Sequence, residues 1–285
     1  MQIVINALVL GSIYVLISVG LTIVYGILRI LHIAHAGIYT LGAFLGLAFY
    51  NLTGNFWIAL LLSMFFTGLA GVGVYSYIYR RVLEKERIVP LVISIGLFIV
   101  MQDLYRLIWG PYKKPFALDL GINDIKGKGF VITQHQLMIL LLTTVALLFL
   151  YFLMNKTKLG KAMKACADDL TMAGALGINV ERVVSFAFFL GSALAALAGV
   201  LIGVYENNVY PTMGDEVSYK AFVVIVLGGF GSLSGAVVAG FILSFAETLL
   251  VAWKGFLLPR DAIAFIVMIL VLMLKPEGLL KGAST

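Results

Sequence analysis

Long apolar segments dominate this sequence, and each of them is about as long as a lipid bilayer is thick. Such runs occur near residues 3–28, 56–79, 88–109, 134–154 and 183–204. A hydrocarbon core of about 30 Å requires roughly 20 helical residues, because an α-helix rises about 1.5 Å per residue. The sequence therefore predicts a chain that crosses a membrane several times as α-helices.

Shorter or glycine-interrupted apolar runs lie at 34–50, 218–230, 233–253 and 261–274. Together with the long runs, they predict an all-α polytopic membrane protein with eight or nine crossings. We expect glycine-broken helices near 28–42 and 227–235, and the second break leaves open whether 218–253 is a pair of crossings or a re-entrant segment. No polar segment is long enough to form a core of its own, so residues 1–285 are predicted to form a single transmembrane domain.

The composition agrees with lipid as the solvent. Hydrophobic residues make up 62% of the chain and charged residues 12%, whereas soluble domains carry about a quarter charged residues. The net charge of +6 requires no nucleic-acid partner, because membrane proteins collect Lys and Arg in cytoplasmic loops. Cys166 is the only cysteine, which excludes an intrachain disulfide, and no Cys/His cluster indicates a metal site. The N-terminal MQIVINALVL lacks a basic region and a cleavage site, so it is interpreted as a retained first span.

The distribution of basic residues predicts the orientation. With the N-terminus outside, twelve Lys and Arg residues fall in inner segments and seven in outer ones, while Arg106 lies within a span. Because Lys and Arg concentrate on the cytoplasmic side, we expect an outer N-terminus, an inner C-terminus and a multi-pass location in the plasma (inner) membrane.

Small residues follow the 183–204 segment at every fourth position. The stripe comprises Ala187, Gly191, Ala195, Gly199 and Gly203, and Gly42 with Gly46 has the same spacing. Small residues allow helix backbones to approach closely, which favours association inside lipid. The stripe predicts either a close-packed bundle or a subunit contact, and the simplest alternative is a membrane helix that is merely rich in Gly and Ala.

The segment 158–184 is too polar to cross a membrane, yet its periodicity is helical. Apolar residues recur at steps of four and three and form one stripe: Leu159, Met163, Cys166, Leu170 and Ala173. Gly177 is a helix-stop signal. One amphipathic helix is therefore predicted over about 158–178. It could lie on lipid headgroups or dock into another protein, and its mixed Lys/Asp polar face favours docking.

Several stretches resemble the permease subunits of branched-chain amino acid ABC importers. Within 160–240 they are GKAMKACADDLTMAGALGINVERV, LGSALAALAGVLIGVY and YKAFVVIVLGGFGSLSGAVVAG. The N-terminal GLTIVYGILRILHIAHAGIYTLGAFLG and the C-terminal LKPEGLLKG also resemble that family. The resemblance covers most of the chain.

This resemblance implies that the polar helix is a coupling element seated in a separate ATPase. The implied contact candidates are Lys164, Asp168, Asp169, Ala173 and Gly177. Only Ala173 and Gly177 match the general importer consensus of Glu-Ala-Ala, three residues and Gly; Thr171 and Met172 occupy its first two positions.

The resemblance also implies the partners of the chain. They are a second homologous permease subunit, two cytoplasmic ATPase subunits and an extracytoplasmic solute-binding protein. ATP and Mg would be used by the ATPase subunits, since no GxxxxGK[ST] phosphate loop occurs in the chain. We therefore expect this chain itself to bind no cofactor.

The two glycine-broken segments are candidates for the solute route, because unwound backbone inside a membrane is tolerated only around protein or water. The candidate residues are Arg29, His32, His35, Gly37, Gly228, Gly229 and Gly231, together with Glu247, a carboxylate inside a span. The two histidines are expected to be interfacial and bonded to nearby carbonyls. Glu247 could line the route or form a structural pair, and Asp103 is expected to pair with Arg106.

The sequence is compatible to different degrees with three classes of function. The favoured one is the permease of an ABC importer for branched-chain or related hydrophobic amino acids. An ion-gradient-driven secondary transporter is the alternative, but it usually requires more intramembrane ion sites than Glu247 alone. A membrane-embedded enzyme lacks support, since no Ser/His/Asp, HExxH or paired-carboxylate constellation is found.

Overall fold

The computed structural model describes residues 1–83, 85–86, 88–119, 121, 124–127, 130–253, 260–275 and 278–280. These residues form α1 (Gln2–Leu28), α2 (His35–Thr53), α3 (Phe56–Tyr77), a 3₁₀ turn (Tyr79–Arg81), α4 (Ile88–Trp109), β1 (Ile125–Gly127), β2 (Phe130–Ile132), α5 (Gln134–Lys156), α6 (Lys158–Asp168), α7 (Leu170–Ala175), α8 (Val180–Tyr205), α9 (Met213–Gly228), α10 (Leu233–Ala252) and α11 (Arg260–Leu274). The two strands pair antiparallel.

Seven helices in the described part of the chain are long and apolar enough to cross a membrane: α1, α2, α3, α4, α5, α8 and α10. The predicted all-α polytopic fold is confirmed. The predicted count of eight or nine crossings is approximate, because α9 has 16 residues and α11 has 15.

Helices α1 and α8 form the centre of the bundle and are buried along most of their length. α1 packs against α8 and α10, and α8 packs against α2 and α3. The outer helices α4 and α5 keep large apolar side chains exposed, among them Leu107 and Leu148. Such a surface suits lipid, which covers apolar side chains at no cost.

The small residues of α8 pack against other helices of the same chain. A Cβ on Gly191 would come within 2.7 Å of the Gly20 carbonyl oxygen of α1, and one on Gly199 would overlap the Tyr39 carbonyl of α2. From the α2 side, Gly42 leaves room for Ala196 and Gly46 leaves room for Val200. Ala187 and Ala195 are buried, and Gly203 packs against Val209. The stripe therefore serves the close-packed bundle, the first of the two predicted roles.

Both predicted helix breaks are present, but the first one is not made by glycine: it lies between Leu28 and His35, and Gly37 and Gly42 are inside α2. α1 ends at Leu28, and Arg29 adopts a left-handed φ of 52° while its N–H donates to the Tyr25 carbonyl. α9 ends at Gly228 and α10 begins at Leu233, with Gly229 at φ 97° and Gly231 at φ 78° between them. These φ values favour glycine, which lacks the Cβ that makes them costly.

The C-terminal segment covers the second break. The Leu279 N–H donates to the Leu227 carbonyl at 2.8 Å, and the Leu280 N–H donates to the Gly228 carbonyl at 3.2 Å. Carbonyls released at a helix end need such partners when no water reaches them. The other residues of the LKPEGLLKG stretch include 276, 277, 281 and 282, which lie outside the described residues.

The prediction of one continuous helix over 158–178 is wrong. Asp169 has extended backbone angles and caps α7, with its carboxylate accepting from the N–H groups of Thr171 at 2.7 Å and Met172 at 2.9 Å. An Asp carboxylate competes well for free N–H groups at a helix start, so α6 and α7 are separate helices. Gly177 ends this region at φ 85° as predicted, and Asn179 caps α8.

Candidate functional site

A buried ionic cluster joins α1, α9 and α10. The Lys220 ammonium lies 2.8 Å from the Tyr14 hydroxyl, 3.1 Å from a Glu216 oxygen and 3.5 Å from a Glu247 oxygen. The Tyr14 hydroxyl donates to Glu247 at 2.8 Å. Lys220 and Glu247 are both buried. Charges inside a membrane protein require partners of this kind. Of the two roles considered for Glu247, the structure therefore shows the structural ion pair, with Lys220 as its partner.

Lys220 is one of the seven basic residues that the predicted topology places outside, and no sequence pattern singles it out as a site residue. That placement is corrected, since Lys220 lies in the middle of α9 and faces α1 and α10. The i, i+4 spacing of Glu216 and Lys220 was the available signal, but it does not point to Tyr14 or Glu247.

The expected interfacial position of the two histidines is wrong. The rings of His32 and His35 are each 1% exposed. His32 Nδ1 lies 2.7 Å from the Tyr79 hydroxyl, so its partner is a side chain and not a carbonyl. His35 lies beside Gly20, eight residues before the end of α1. α2 thus begins next to the interior of α1, about 12 Å of helix away from its end.

A cavity of about 260 Å³ lies between the first break and α9. Ile17 and Leu21 line it from α1, and His35 lines it from the start of α2. From α9 it is lined by Ser218, Tyr219, Ala221 and Phe222. Its wall is therefore mostly apolar, with a few polar groups near the histidines.

α9 begins inside the bundle. A Cβ on Gly214 would lie 2.6 Å from the Ala36 carbonyl oxygen of α2, and the Gln102 amide donates to Asp215. Gly37 sits at the same level, where its carbonyl accepts from the Tyr105 hydroxyl at 2.9 Å. The first break and the start of α9 thus form one region.

The remaining pathway candidates lie elsewhere. Gly228, Gly229 and Gly231 are at the opposite end of α9 from Asp215, about 20 Å along the helix. There the backbone of Gly231 packs beside Gly26 of α1. Arg29 is exposed at the end of α1. The structure therefore brings together His32, His35 and Gly37 but separates them from the second-break glycines.

Of the coupling candidates, only some face outward. Ala173 is buried against its own chain, and Asp169 is engaged as the α7 cap. Lys164 donates to Asn155 at 2.8 Å, and Lys164 with Asp168 lines a cavity of about 980 Å³ between α1, α5, α6 and α10. Gly177 is exposed.

The exposed apolar residues of this region are Met172 and Leu176, which are 59% and 75% exposed. Neither residue is in the predicted apolar stripe, because that stripe assumes one unbroken helix. Their i, i+4 spacing was the signal that could have found them. The buried members Met163 and Cys166 instead hold α6 against the spans.

Residues 3–272 match the family model for the permease component of branched-chain amino acid transport systems. The chain belongs to this family. It is 33% identical to the high-affinity branched-chain amino acid permease protein BraD of Pseudomonas aeruginosa, over 98% of this chain and 95% of that protein. It is 35% identical to the LivH permease protein of Escherichia coli, over 96% and 93% of the two chains.

A probable LivH permease of Methanocaldococcus jannaschii is 28% identical over 96% of this chain and 90% of that protein. No solved structure matches the chain. Family membership confirms the resemblance stated above, and the chain is a multi-pass membrane permease component of an ABC transport system. Its relatives are transport permeases.

Proposed function

We propose that this chain is a permease subunit of an ATP-driven importer for branched-chain or related hydrophobic amino acids in the plasma (inner) membrane. A second homologous permease subunit, two cytoplasmic ATPase subunits and an extracytoplasmic solute-binding protein complete the assembly. ATP and Mg act in the ATPase subunits. The observation that carries this proposal is the family match over residues 3–272, supported by similarity over nearly the whole length of the named relatives.

α7 is the proposed contact to the ATPase. Met172 and Leu176 form an exposed apolar pair on the inner side of the predicted topology. An apolar pair exposed at a short surface helix suits a groove of a partner protein. On the opposite side of α7, Ala173 is buried, and in α6 Met163 and Cys166 are buried against the bundle. Because of this packing, a movement of α7 would also move the membrane-spanning helices. Met172 and Leu176 therefore replace Ala173 as the proposed centre of the contact.

The ion-driven alternative is less well supported by the intramembrane charges. Glu247, the carboxylate that could have served as an ion site, lies 3.5 Å from the Lys220 ammonium and accepts a hydrogen bond from Tyr14. A carboxylate neutralised by a neighbouring cation binds Na⁺ or a proton less readily than an open one.

Reconstitution of the whole transporter tests the proposal. Proteoliposomes would contain both permease subunits and the ATPase subunits, with ATP inside and the binding protein outside. We expect uptake of radiolabelled leucine, isoleucine or valine that requires ATP and the binding protein. Uptake by the permease alone, driven by a proton or sodium gradient without ATP, would support the secondary-transporter class instead.

A further inference from the structure

His35 is a polar side chain that the packing leaves unsatisfied. It is buried, and neither ring nitrogen has a partner in ordinary hydrogen-bond geometry among the described residues. The Ile17 backbone lies close enough to act as a weak hydrogen-bond partner of the ring, so at least one ring nitrogen remains open to another group. Nε2 of His32 is also without a partner in the described structure. Buried polar groups are nearly always bonded, so ring nitrogens that face a cavity without a partner from the chain are available to a polar molecule that enters it.

α9 places two carboxylates within the membrane but outside the protein core. Gln102, which bonds Asp215, lies seven residues before the end of α4, or about 10 Å of helix inside it. Asp215 is nevertheless exposed, and the Glu216 side chain is 53% exposed. A carboxylate at this depth is too costly to face lipid. The surface of α9 around Asp215 therefore borders a polar space.

The exposed carboxylate and the cavity lie on one face of α9. Asp215, Ser218, Tyr219 and Phe222 are spaced i, i+3, i+4 and i+7, which places them in a single stripe of a helix, and the last three line the cavity. Gly214, which precedes Asp215, contacts Ala36, which follows His35. This contact joins the start of α9 to the start of α2. Asp215, the two imidazoles and the apolar wall of the cavity thus lie around the contact between the start of α2 and the start of α9.

We infer that this cavity is a transient binding site for a zwitterionic α-amino acid with an aliphatic side chain. Ring N–H groups of His35 and His32 would donate to the carboxylate of the amino acid, and Asp215 would face its ammonium group. Ile17, Leu21 and Phe222 would cover the side chain. This inference rests on the proposed function and adds where in the chain the solute is held.

Photo-cross-linking locates the site directly. The reconstituted complete transporter is supplied with a diazirine analogue of leucine and irradiated during ATP-driven uptake, and the labelled peptides are found by mass spectrometry. We expect labels on the peptides containing Ile17 and Leu21 or Phe222, and we expect excess leucine to suppress them. If the labels that excess leucine suppresses are found only on other helices, the proposed binding site is wrong.

The variant His35→Phe removes both ring nitrogens and keeps a ring of similar size. Loss of hydrogen bonds to a charged group is expected to raise the KM of leucine uptake about tenfold. His35→Gln keeps a donor and should recover part of the affinity. His135→Phe is the matched control, because His135 bonds the Leu118 carbonyl at the start of α5 and should leave the KM unchanged.

The two proposals fail in different ways. Uptake with an unchanged KM by a membrane-inserted His35→Phe transporter would overturn the site and leave the importer function intact. If the His35→Phe variant does not insert into the membrane, the cross-linking pattern of the unmodified transporter decides whether the proposed site is correct. A complete unmodified transporter that takes up no aliphatic amino acid would overturn the proposed function itself.

Discussion

The intramembrane charges illustrate what a single residue contributes to this fold. Lys220 stands within hydrogen-bond or ion-pair distance of groups on α1, α9 and α10. Glu247 is attractive to sequence reasoning because a carboxylate interrupts an apolar run. Lys220 is less visible, because it follows Glu216 near the start of a short run and resembles a loop residue. The pairing itself depends on the packing of α9 against α1 and α10, which no local pattern encodes.

The cost of breaking this pair is the first prediction. Lys220→Met leaves the buried Glu247 carboxylate without its cation, and we expect a loss of about 3–5 kcal/mol in the free energy of unfolding. The double variant Lys220→Met with Glu247→Gln removes both charges and should be markedly more stable than the single one. Thermal unfolding in detergent micelles measures both.

Lys126→Met supplies the control, since Lys126 is exposed in the β1 strand. Its replacement should change stability by less than about 0.5 kcal/mol. A single variant Lys220→Met as stable as this control would show that the buried pair does not form.

The only cysteine offers a second test at the residue scale. Cys166 is buried in α6, and burial raises the pKa of its thiol. Because the thiolate is the reactive form, less of it is present at neutral pH than for an exposed cysteine. We expect slow labelling by a maleimide at pH 7 in the folded protein, faster labelling as the pH rises, and complete labelling after denaturation. Rapid stoichiometric labelling at pH 7 would contradict the packing of α6 against the spans.

At the scale of helices, sequence reasoning succeeded where glycine breaks a helix and failed where a polar side chain does. Four glycines between Gly228 and Gly235 predict an interruption, because glycine disfavours helix and permits positive φ. The break at Asp169 is of another kind: its carboxylate bonds two N–H groups and starts a new helix. A periodic apolar pattern continues through that position, so periodicity alone predicts one helix.

Helix packing yields a third prediction, which uses two glycines of α3. A Cβ on Gly71 would collide with Ser192 of α8, whereas one on Gly73 would meet nothing within 4 Å. We expect Gly71→Val to destabilise the protein by about 1–3 kcal/mol or more, as overpacking does. Gly73→Val should have an effect close to zero. Equal melting temperatures in detergent for the two variants would show that α3 and α8 are not packed as closely as described.

At the scale of the whole molecule, hydropathy identifies the spans but not their arrangement. α1 and α8 lie at the centre and α4 and α5 at the outside, yet all four are strongly apolar. Hydropathy cannot separate them, because lipid and protein interior are equally apolar surroundings. Small residues provide the better signal, and the stripe in α8 marks a central helix. The His35 cavity was partly predictable from the first break, but its α9 wall was not.

The last prediction concerns how this chain couples to its ATPase. Leu176→Glu places a charge at the exposed C-terminal end of α7, just past its last residue, without disturbing the packing of the chain, since Leu176 is 75% exposed. In an ATPase groove that charge would be desolvated without a partner, at a cost of several kcal/mol. We expect normal membrane insertion of the variant, weak ATPase binding in pull-downs and uptake reduced at least about tenfold in proteoliposomes.

Two further variants separate docking from folding. Ala173→Glu puts its charge at a buried position of the same helix, so it should lower the stability of the isolated chain as well as uptake. Lys85→Glu changes an exposed charge in a different segment of the same predicted side and should preserve both. If Leu176→Glu transports as well as Lys85→Glu, α7 is not the contact. If Leu176→Glu instead destabilises the isolated chain as Ala173→Glu does, the face assigned to docking belongs to the core of the subunit.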